Sequence, residues 1–253
     1  MSAATVSIVV PVYNEEAVLA RSLGILTAFL ARYCSHPCEV VIADNGSTDR
    51  SLEVARRLAE QHPGVSVLHR ESKGRGGAVK EAWRRSQAAV LSYMDVDLST
   101  ELAAFPALIE PLLAGRYDLA TGSRLLHPWL TRRCLKREMV SRLYNLLVKG
   151  LFRTGFSDAQ CGFKAISQTA AKALLPLVLD DAWFMDTELL VVAEKLGYRI
   201  LDLPVRWVED PDSRVRLWRT AWEDIKGLIR LRRGLGRVAK QAQSPGAAQG
   251  GTI

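Results

Sequence analysis

The 253 residues are 48% hydrophobic, enough apolar material to build one large α/β domain or two small ones. No run of 18 apolar residues offers a membrane span, and no basic stretch leading into an apolar run marks a signal peptide. The four cysteines (Cys34, Cys38, Cys134 and Cys161) lack a second ligand pair, which argues for ordinary thiols over zinc and fits a cytoplasmic setting.

In chain order, Val6–Val10 is a β-branched run expected to form a buried strand. Glu15–Arg32 follows with Val18, Leu19, Leu23, Leu26 and Leu30 at helical spacing. Val40–Ala43 reads as a second strand and Thr48–Gln61 as a helix opened by Asn45-Gly46-Ser47. Val65–His69 is a third strand, Ala78–Ser86 a helix, and Val90–Met94 a fourth strand, with Ser99 or Thr100 available to cap a helix at Glu101. Strand–helix alternation with short connections predicts a doubly wound, mainly parallel sheet, whose ligands bind at the C-terminal strand ends. Tyr13-Asn14-Glu15, Asp44-Asn45 and Asp95-Val96-Asp97 all fall at those ends.

Beyond Leu119–Gly122, a further expected strand, the pattern is less regular. Leu135, Met139, Leu143, Leu146, Leu147 and Gly150 keep helical spacing, with Arg132, Lys136, Arg142 and Lys149 elsewhere around that helix. Trp183–Leu196 is expected to be helical and Arg199–Leu203 a strand. Trp218–Arg232 is expected to form an amphipathic helix with Trp218, Trp222, Ile225 and Ile229 on one face. From about Gln241 the composition predicts a disordered tail.

The net charge of +7 is concentrated in two segments: seven Lys/Arg against one acid over 127–153, and eight against two over 214–237. Either helix can be a core element with a solvated face. Two of them, with Trp129, Trp218 and Trp222, point to a membrane surface. Nucleic acid is the competing anion, but no nucleic-acid motif is visible and acids at the sheet ends would repel phosphate.

Asp95 and Asp97, directly after a buried strand, concentrate negative charge that a cation or hydrogen-bond network must offset. Mg²⁺ or Mn²⁺ held by one or two carboxylates and substrate phosphates fits that need. Lys73-Gly74-Arg75-Gly76-Gly77 matches neither G-x-G-x-x-G nor a P-loop, and reads as a tight turn or a phosphate contact. Asp158, Asp186 and Glu188 are further acid candidates, the last two also suited to a helix N-terminus. None of His36, His62, His69 and His127 neighbours another candidate catalytic group in sequence, and no serine sits in a nucleophile elbow.

The segments SIVVPVYNEE, VVIADNGSTDRS, GRGGAVKEA, YMDVDLST, ATGSR, DAQCGFK and WFMDTELL occur in the order of inverting family 2 glycosyltransferases. The chain resembles that family over about Val6 to Arg233, and within it the dolichyl- or polyprenyl-phosphate β-glucosyltransferases. The resemblance implies the α/β GT-A fold: a Rossmann-like mixed, mainly parallel sheet flanked by helices, here with C-terminal basic amphipathic helices. It implies one domain over 1–240, with a nucleotide-sugar half to about 124 and an acceptor- and membrane-facing half after it.

It also implies residue roles. Pro11, Tyr13 and Glu15 line the nucleotide pocket, and Asp44 bonds the uracil edge. Lys73 and Arg75 lie near base or ribose. Asp95 and Asp97 hold ribose and the Mg²⁺- or Mn²⁺-diphosphate, and Arg124 braces carboxylates or phosphates. Gln160, Lys164, Asp186 and Glu188 approach sugar and acceptor, and Ser213-Arg214 resembles a loop over the diphosphate. Two departures stand out: Ser99 stands where mannose synthases often have Gln, and no counterpart of the membrane anchors of some relatives is read in these residues, so the amphipathic segments are expected to reach the lipid.

The expected reaction is inverting transfer from a nucleotide sugar, UDP-glucose first, to a polyprenyl phosphate, by a peripheral protein at the inner face of the membrane. Transfer to a glycan hydroxyl with Asp186 as base, and mannose transfer from GDP-mannose, are the alternatives. A basic binding module with a dead site and a nicotinamide oxidoreductase fit the carboxylate pair and the glycine pattern poorly.

Overall fold

The computed structural model describes residues 4–132, 134–208 and 217–243. Ser213 and Arg214 lie outside them. The first half builds β1 (Val6–Val12), α1 (Leu19–Tyr33), β2 (Cys38–Asn45), α2 (Ser51–Gln61), β3 (Val65–Arg70), α3 (Arg75–Arg85), β4 (Val90–Met94), α4 (Phe105–Leu113) and β5 (Leu119–Ser123). The second adds β6 (Thr131–Arg132), α5 (Leu135–Phe152), β7 (Phe163–Ser167), α6 (Gln168–Leu174), α7 (Met185–Lys195), β8 (Ile200–Pro204), β9 (Trp207–Val208) and α8 (Leu217–Gln243).

The main sheet has seven strands in the order β3-β2-β1-β4-β7-β5-β8. All neighbours are parallel except β7, which runs antiparallel to both β4 and β5. The expected mixed, mainly parallel sheet is found. β7 starts at the last two residues of DAQCGFK and is not among the strands expected from sequence, because five residues with Lys164 among them make too short and mixed a run to stand out. Apolar clusters cover both faces of the sheet, one around Trp83, Phe152, Leu190 and Leu228, the other around Leu19, Leu26, Phe105 and Phe163. β1 is buried along its whole length, as a central parallel strand must be.

Several boundaries differ from expectation for physical reasons. α1 begins at Leu19 instead of Glu15, because the backbone amides of Glu15 and Glu16 are drawn to Ser51 Oγ (2.7 Å) and Asp49 Oδ2 (3.3 Å). α3 begins at Arg75, with Gly76 and Gly77 inside it. A Cβ on Gly76 would come within 2.6 Å of Met185 Cβ, so glycine lets α3 press against the start of α7. The Gly74 and Gly77 amides already donate to Asn45 Oδ1 (3.2 Å) and to the Asp181 carbonyl (2.9 Å). The glycine turn is therefore a packing junction more than a phosphate cradle. A single 3₁₀ turn, Leu102–Ala104, precedes α4, and neither Ser99 nor Thr100 supplies a side-chain cap to it. Helix α8 runs to Gln243, past the expected start of the tail; the remaining residues lie outside those described.

Candidate functional site

The C-terminal ends of β1, β2 and β4 bring together the residues singled out in the first half. Pro11 is buried in β1 opposite Ala43 of β2. Tyr13, just past β1, carries the Lys73 ammonium 3.6 Å above its ring centre, a cation–π contact at the rim. Glu15 ties the same loop to α2 through Ser51.

Asp44, the last residue but one of β2, is fully buried. Its Oδ2 accepts a 2.7 Å hydrogen bond from His69 Nδ1, while its Oδ1 is buried with no partner. His69 thus stands beside a candidate site residue, against the sequence expectation for the histidines. The signal was present: the parallel register pairs Asp44 with His69. It requires knowing which strands are neighbours.

Asp95 and Asp97 follow β4, Asp95 half-buried and Asp97 exposed. Asp97 Oδ1 accepts from the Ser99 amide at 3.0 Å, so Asp97 keeps the local turn bond that Ser99 or Thr100 was expected to take over. Leu98 between them has φ +51°, a left-handed conformation costing about 1 kcal/mol that turns the chain sharply at the site. A Cβ at Gly162 would lie 1.7 Å from Asp95 Oδ2, so the glycine of DAQCGFK makes the space this carboxylate occupies.

Behind the aspartates lies a buried polar network assembled from four distant segments. Arg75 Nη2 donates to Asp95 Oδ1 at 2.5 Å and Arg75 Nη1 to Asp186 Oδ2 at 2.9 Å. The guanidinium packs on the rings of Tyr93 and Trp183, each 4.8 Å from its carbon. The Tyr93 hydroxyl donates to Asp186 Oδ1, and Lys164 Nζ lies 3.2 Å from the same oxygen. Burial opposes the charge on Asp186, but Lys164 and Arg75 outweigh it and hold the carboxyl below its usual range. Burial, followed by the field of Asp186, pushes the Tyr93 hydroxyl far above its usual value. An ionised Asp186 with both oxygens engaged is built to hold neighbours in place. Lys164, only 2% exposed, also donates to the carbonyls of Ala159 and Cys161, and so sits beneath the site.

Arg124 grips Asp158 with two parallel bonds of 2.7 and 2.9 Å. Burial alone would raise the Asp158 carboxyl; the guanidinium outweighs it and holds the group at about 2. Arg124 therefore braces a carboxylate, one that positions the loop carrying Gln160. Gln160 Nε2 donates 2.7 Å to Asp224 of α8. Glu188 faces away from Asp186: it accepts from the Asp180 amide (2.6 Å) and from Arg230 of α8 (3.0 Å). Tyr93, Trp183, His69 and Asp224 thus join residues expected from sequence, Asp158 among the latter.

Among the described residues no group of three or more His, Cys, Asp or Glu is arranged to hold a metal by itself. Asp95 and Asp97 are two carboxylates two residues apart at the end of β4, and a cation held there would need its remaining ligands from substrate phosphates and water.

Residues 7–175 match Glycosyl transferase family 2. Glycosyltransferase AglD of Haloferax volcanii is 37% identical over 88% of this chain, which spans about a third (35%) of that protein's length. Dolichyl-phosphate beta-glucosyltransferases of Trichomonas vaginalis (ALG5C, 28%) and Mus musculus (31%) align over 94% and 83% of the chain, and 74% and 69% of their own lengths. Glucosyl-3-phosphoglycerate synthase of Mycobacterium tuberculosis in complex with UDP superposes with TM-score 0.69 at 20% identity, over 90% of this chain and 80% of that one. The same enzyme has been solved with Mn²⁺, UDP-glucose and phosphoglyceric acid (TM-score 0.65, 19% identity, 94% and 79% covered). That likeness gives the GT-A fold, and the sequence match places the chain in glycosyl transferase family 2.

Proposed function

We propose that the protein transfers a hexose, glucose before others, from a UDP-sugar to a polyprenyl phosphate with inversion at C1. The observation that carries this reading is the carboxylate pair Asp95/Asp97 at the end of β4, backed by the Arg75–Asp186 network. The relatives named dolichyl-phosphate beta-glucosyltransferase support the acceptor and the sugar. The neighbouring enzyme solved with Mn²⁺ and UDP-glucose supports the donor and a divalent cation.

Asp95 and Asp97 would hold Mg²⁺ or Mn²⁺; a cation bound there supplies positive charge to the departing diphosphate. A bond forms between a lipid phosphate oxygen and C1, the bond from C1 to the diphosphate oxygen breaks, and UDP leaves. A phosphate acceptor is largely ionised near neutral pH and needs no strong base. An Asp186 already bound by Arg75, Lys164 and Tyr93 suits that chemistry better than attack by a hydroxyl. Tyr13 and Asp44 would receive the base, and Gln160, on the loop braced by Arg124, would face the acceptor side.

The lipid acceptor asks for a surface that meets a bilayer, and α5 is suited to it. No described helix is long and apolar enough to cross a membrane. The helix buries Ser141, Asn145, Val148 and Phe152, and exposes Met139, Leu143, Leu146 and Leu147 on the opposite side. This exposed apolar face, with Arg142 and Arg153 exposed at its edges, supports peripheral docking on an anionic membrane.

The test is incubation with UDP-glucose, GDP-mannose and other nucleotide sugars plus polyprenyl phosphate, followed by weighing of the lipid product. A glucosyl-lipid phosphate formed only with Mg²⁺ or Mn²⁺ is expected; a mannosyl product would move the donor to GDP-mannose. Asp97→Ala, at an exposed position, should keep the fold and abolish metal-dependent turnover. Unchanged turnover would remove the cation from the reading.

A further inference from the structure

Asp44, proposed to receive the base, is paired with a residue that the proposed chemistry leaves unused, His69. The two residues sit side by side at the C-terminal ends of β2 and β3, held there by the parallel register. Asp44 is wholly buried, and the side chain of His69 is 35% exposed. The 2.7 Å contact between His69 Nδ1 and Asp44 Oδ2 has one sense if Asp44 is a carboxylate: the imidazole donates. The other oxygen, Oδ1, is shielded from water and bonded to nothing. A buried carboxylate oxygen without a donor is costly and uncommon, and at a ligand-binding strand end it marks where a ligand's donor belongs.

We propose that His69 is a positioning and specificity-determining residue for the donor's base. By occupying Oδ2 it commits the carboxylate of Asp44 to present Oδ1 as an acceptor only. This rests on the reading that the donor is a uridine diphosphate sugar. Uracil offers a ring N3–H that such an oxygen accepts. Cytosine offers at the same position an unprotonated N3, whose lone pair would face the carboxylate and leave both groups unsatisfied. Sites that hydrogen-bond one partner reject the analogue lacking the donor far more strongly than apolar pockets do. Without the imidazole N–H nothing fixes the rotation of the carboxylate, and it can turn Oδ1 away from the base, so the bond that favours uracil N3–H is lost. The pair therefore sets discrimination between bases, over and above affinity.

A merely structural His69 would strap β3 to β2 and affect all nucleotides alike. The experiment therefore reads a ratio. UDP and CDP are titrated calorimetrically into the full chain in the same Mg²⁺ buffer, with wild type, His69→Phe and His69→Asn, whose amide nitrogen reproduces the Nδ1 donor.

Wild type should prefer UDP. His69→Phe should shrink the UDP/CDP ratio by about fivefold or more, the scale of one net hydrogen bond, and His69→Asn should restore most of it. In turnover, the phenylalanine variant should raise KM for the UDP-sugar and leave kcat nearly unchanged. If His69→Phe, folded by its melting curve, weakens UDP and CDP equally or keeps the wild-type ratio, the inference is overturned while the donor reading stands. If wild type binds neither nucleotide, both fall.

Discussion

Arg75 holds the candidate site together. Its guanidinium joins Asp95, which belongs to the site, to Asp186, which lies behind it, and two aromatic rings flank it. Removing it leaves a 2%-exposed carboxylate, Asp186, with Lys164 as its one remaining ionic partner. Breaking a buried pair in this way typically costs about 3–5 kcal/mol. Arg75→Met should therefore lower the urea midpoint of unfolding by a cost of that order and abolish transfer. Arg75→Lys should not rescue it, because an ammonium cannot reproduce the planar fork that spans two carboxylates. A lysine variant with wild-type stability and rate would show that charge alone suffices. The residue was visible in sequence as part of a glycine-rich turn, expected near base or ribose. Its bridging role was not, since its partner Asp186 is 111 residues away and nothing local pairs them. Asp95 and Asp97 were legible because a strand end ties them to the sheet rim whatever the rest of the fold does.

At the scale of elements, the alternating first half could be read from hydrophobic period and turn residues, because the central strands β1 and β4 are buried on both sides and helices such as α1 on one. The second half resisted. β7 inserts antiparallel between strands that lie far from it in sequence, and the α5 periodicity gave no sign of which face is inside. The buried face of α5 is mixed: beside Val148 and Phe152, Asn145 donates to the Ser141 carbonyl and accepts from the Ala159 amide (2.8 Å), fixing the loop before Gln160.

Helix α8 closes the same region with Asp224, 3% exposed, whose Oδ2 takes the bond from Gln160 and whose Oδ1 has no partner. Burial, partly offset by Gln160 and reinforced by Asp180, Asp186 and Glu223, pushes this carboxyl up to about 7. The folded state thus keeps a proton that the unfolded chain has already released above about pH 4. Stability must then fall as pH rises from about 4 to about 7 and level off beyond. Asp224→Asn removes that dependence. It should match wild type in Tm at pH 4 and exceed it at pH 8; an equal Tm at both pH values would mean that Asp224 is not buried as a reluctant anion.

For the whole molecule, charge and apolar surface share one half of the chain. The two segments of net +6 include α5 and most of α8. These helices also expose Leu143 and Leu146, 64% and 71% accessible, and Trp222, Ile225 and Ile229. The sequence showed the charge and the periodicity together, and the membrane face proposed above rests on both. Which side of α5 meets solvent required the fold, because the buried side mixes Ser141 and Asn145 with Val148 and Phe152, and Asn145 is held there by the distant Ala159 amide. Two contributions to docking follow, and they separate experimentally. The electrostatic part acts over a Debye length of about 10 Å at 0.1 M salt and shrinks as salt rises; the apolar part does not. Co-sedimentation with vesicles containing anionic lipid should weaken severalfold between low and high salt, whereas the smaller binding to neutral vesicles should change little. Leu143→Glu with Leu146→Glu should abolish binding to both kinds of vesicle, by adding negative charge and removing the apolar ridge. Because both leucines are exposed, the melting temperature should stay within a few degrees of wild type. Vesicle binding that survives the double variant would move the membrane contact off α5, whatever sugar the site transfers.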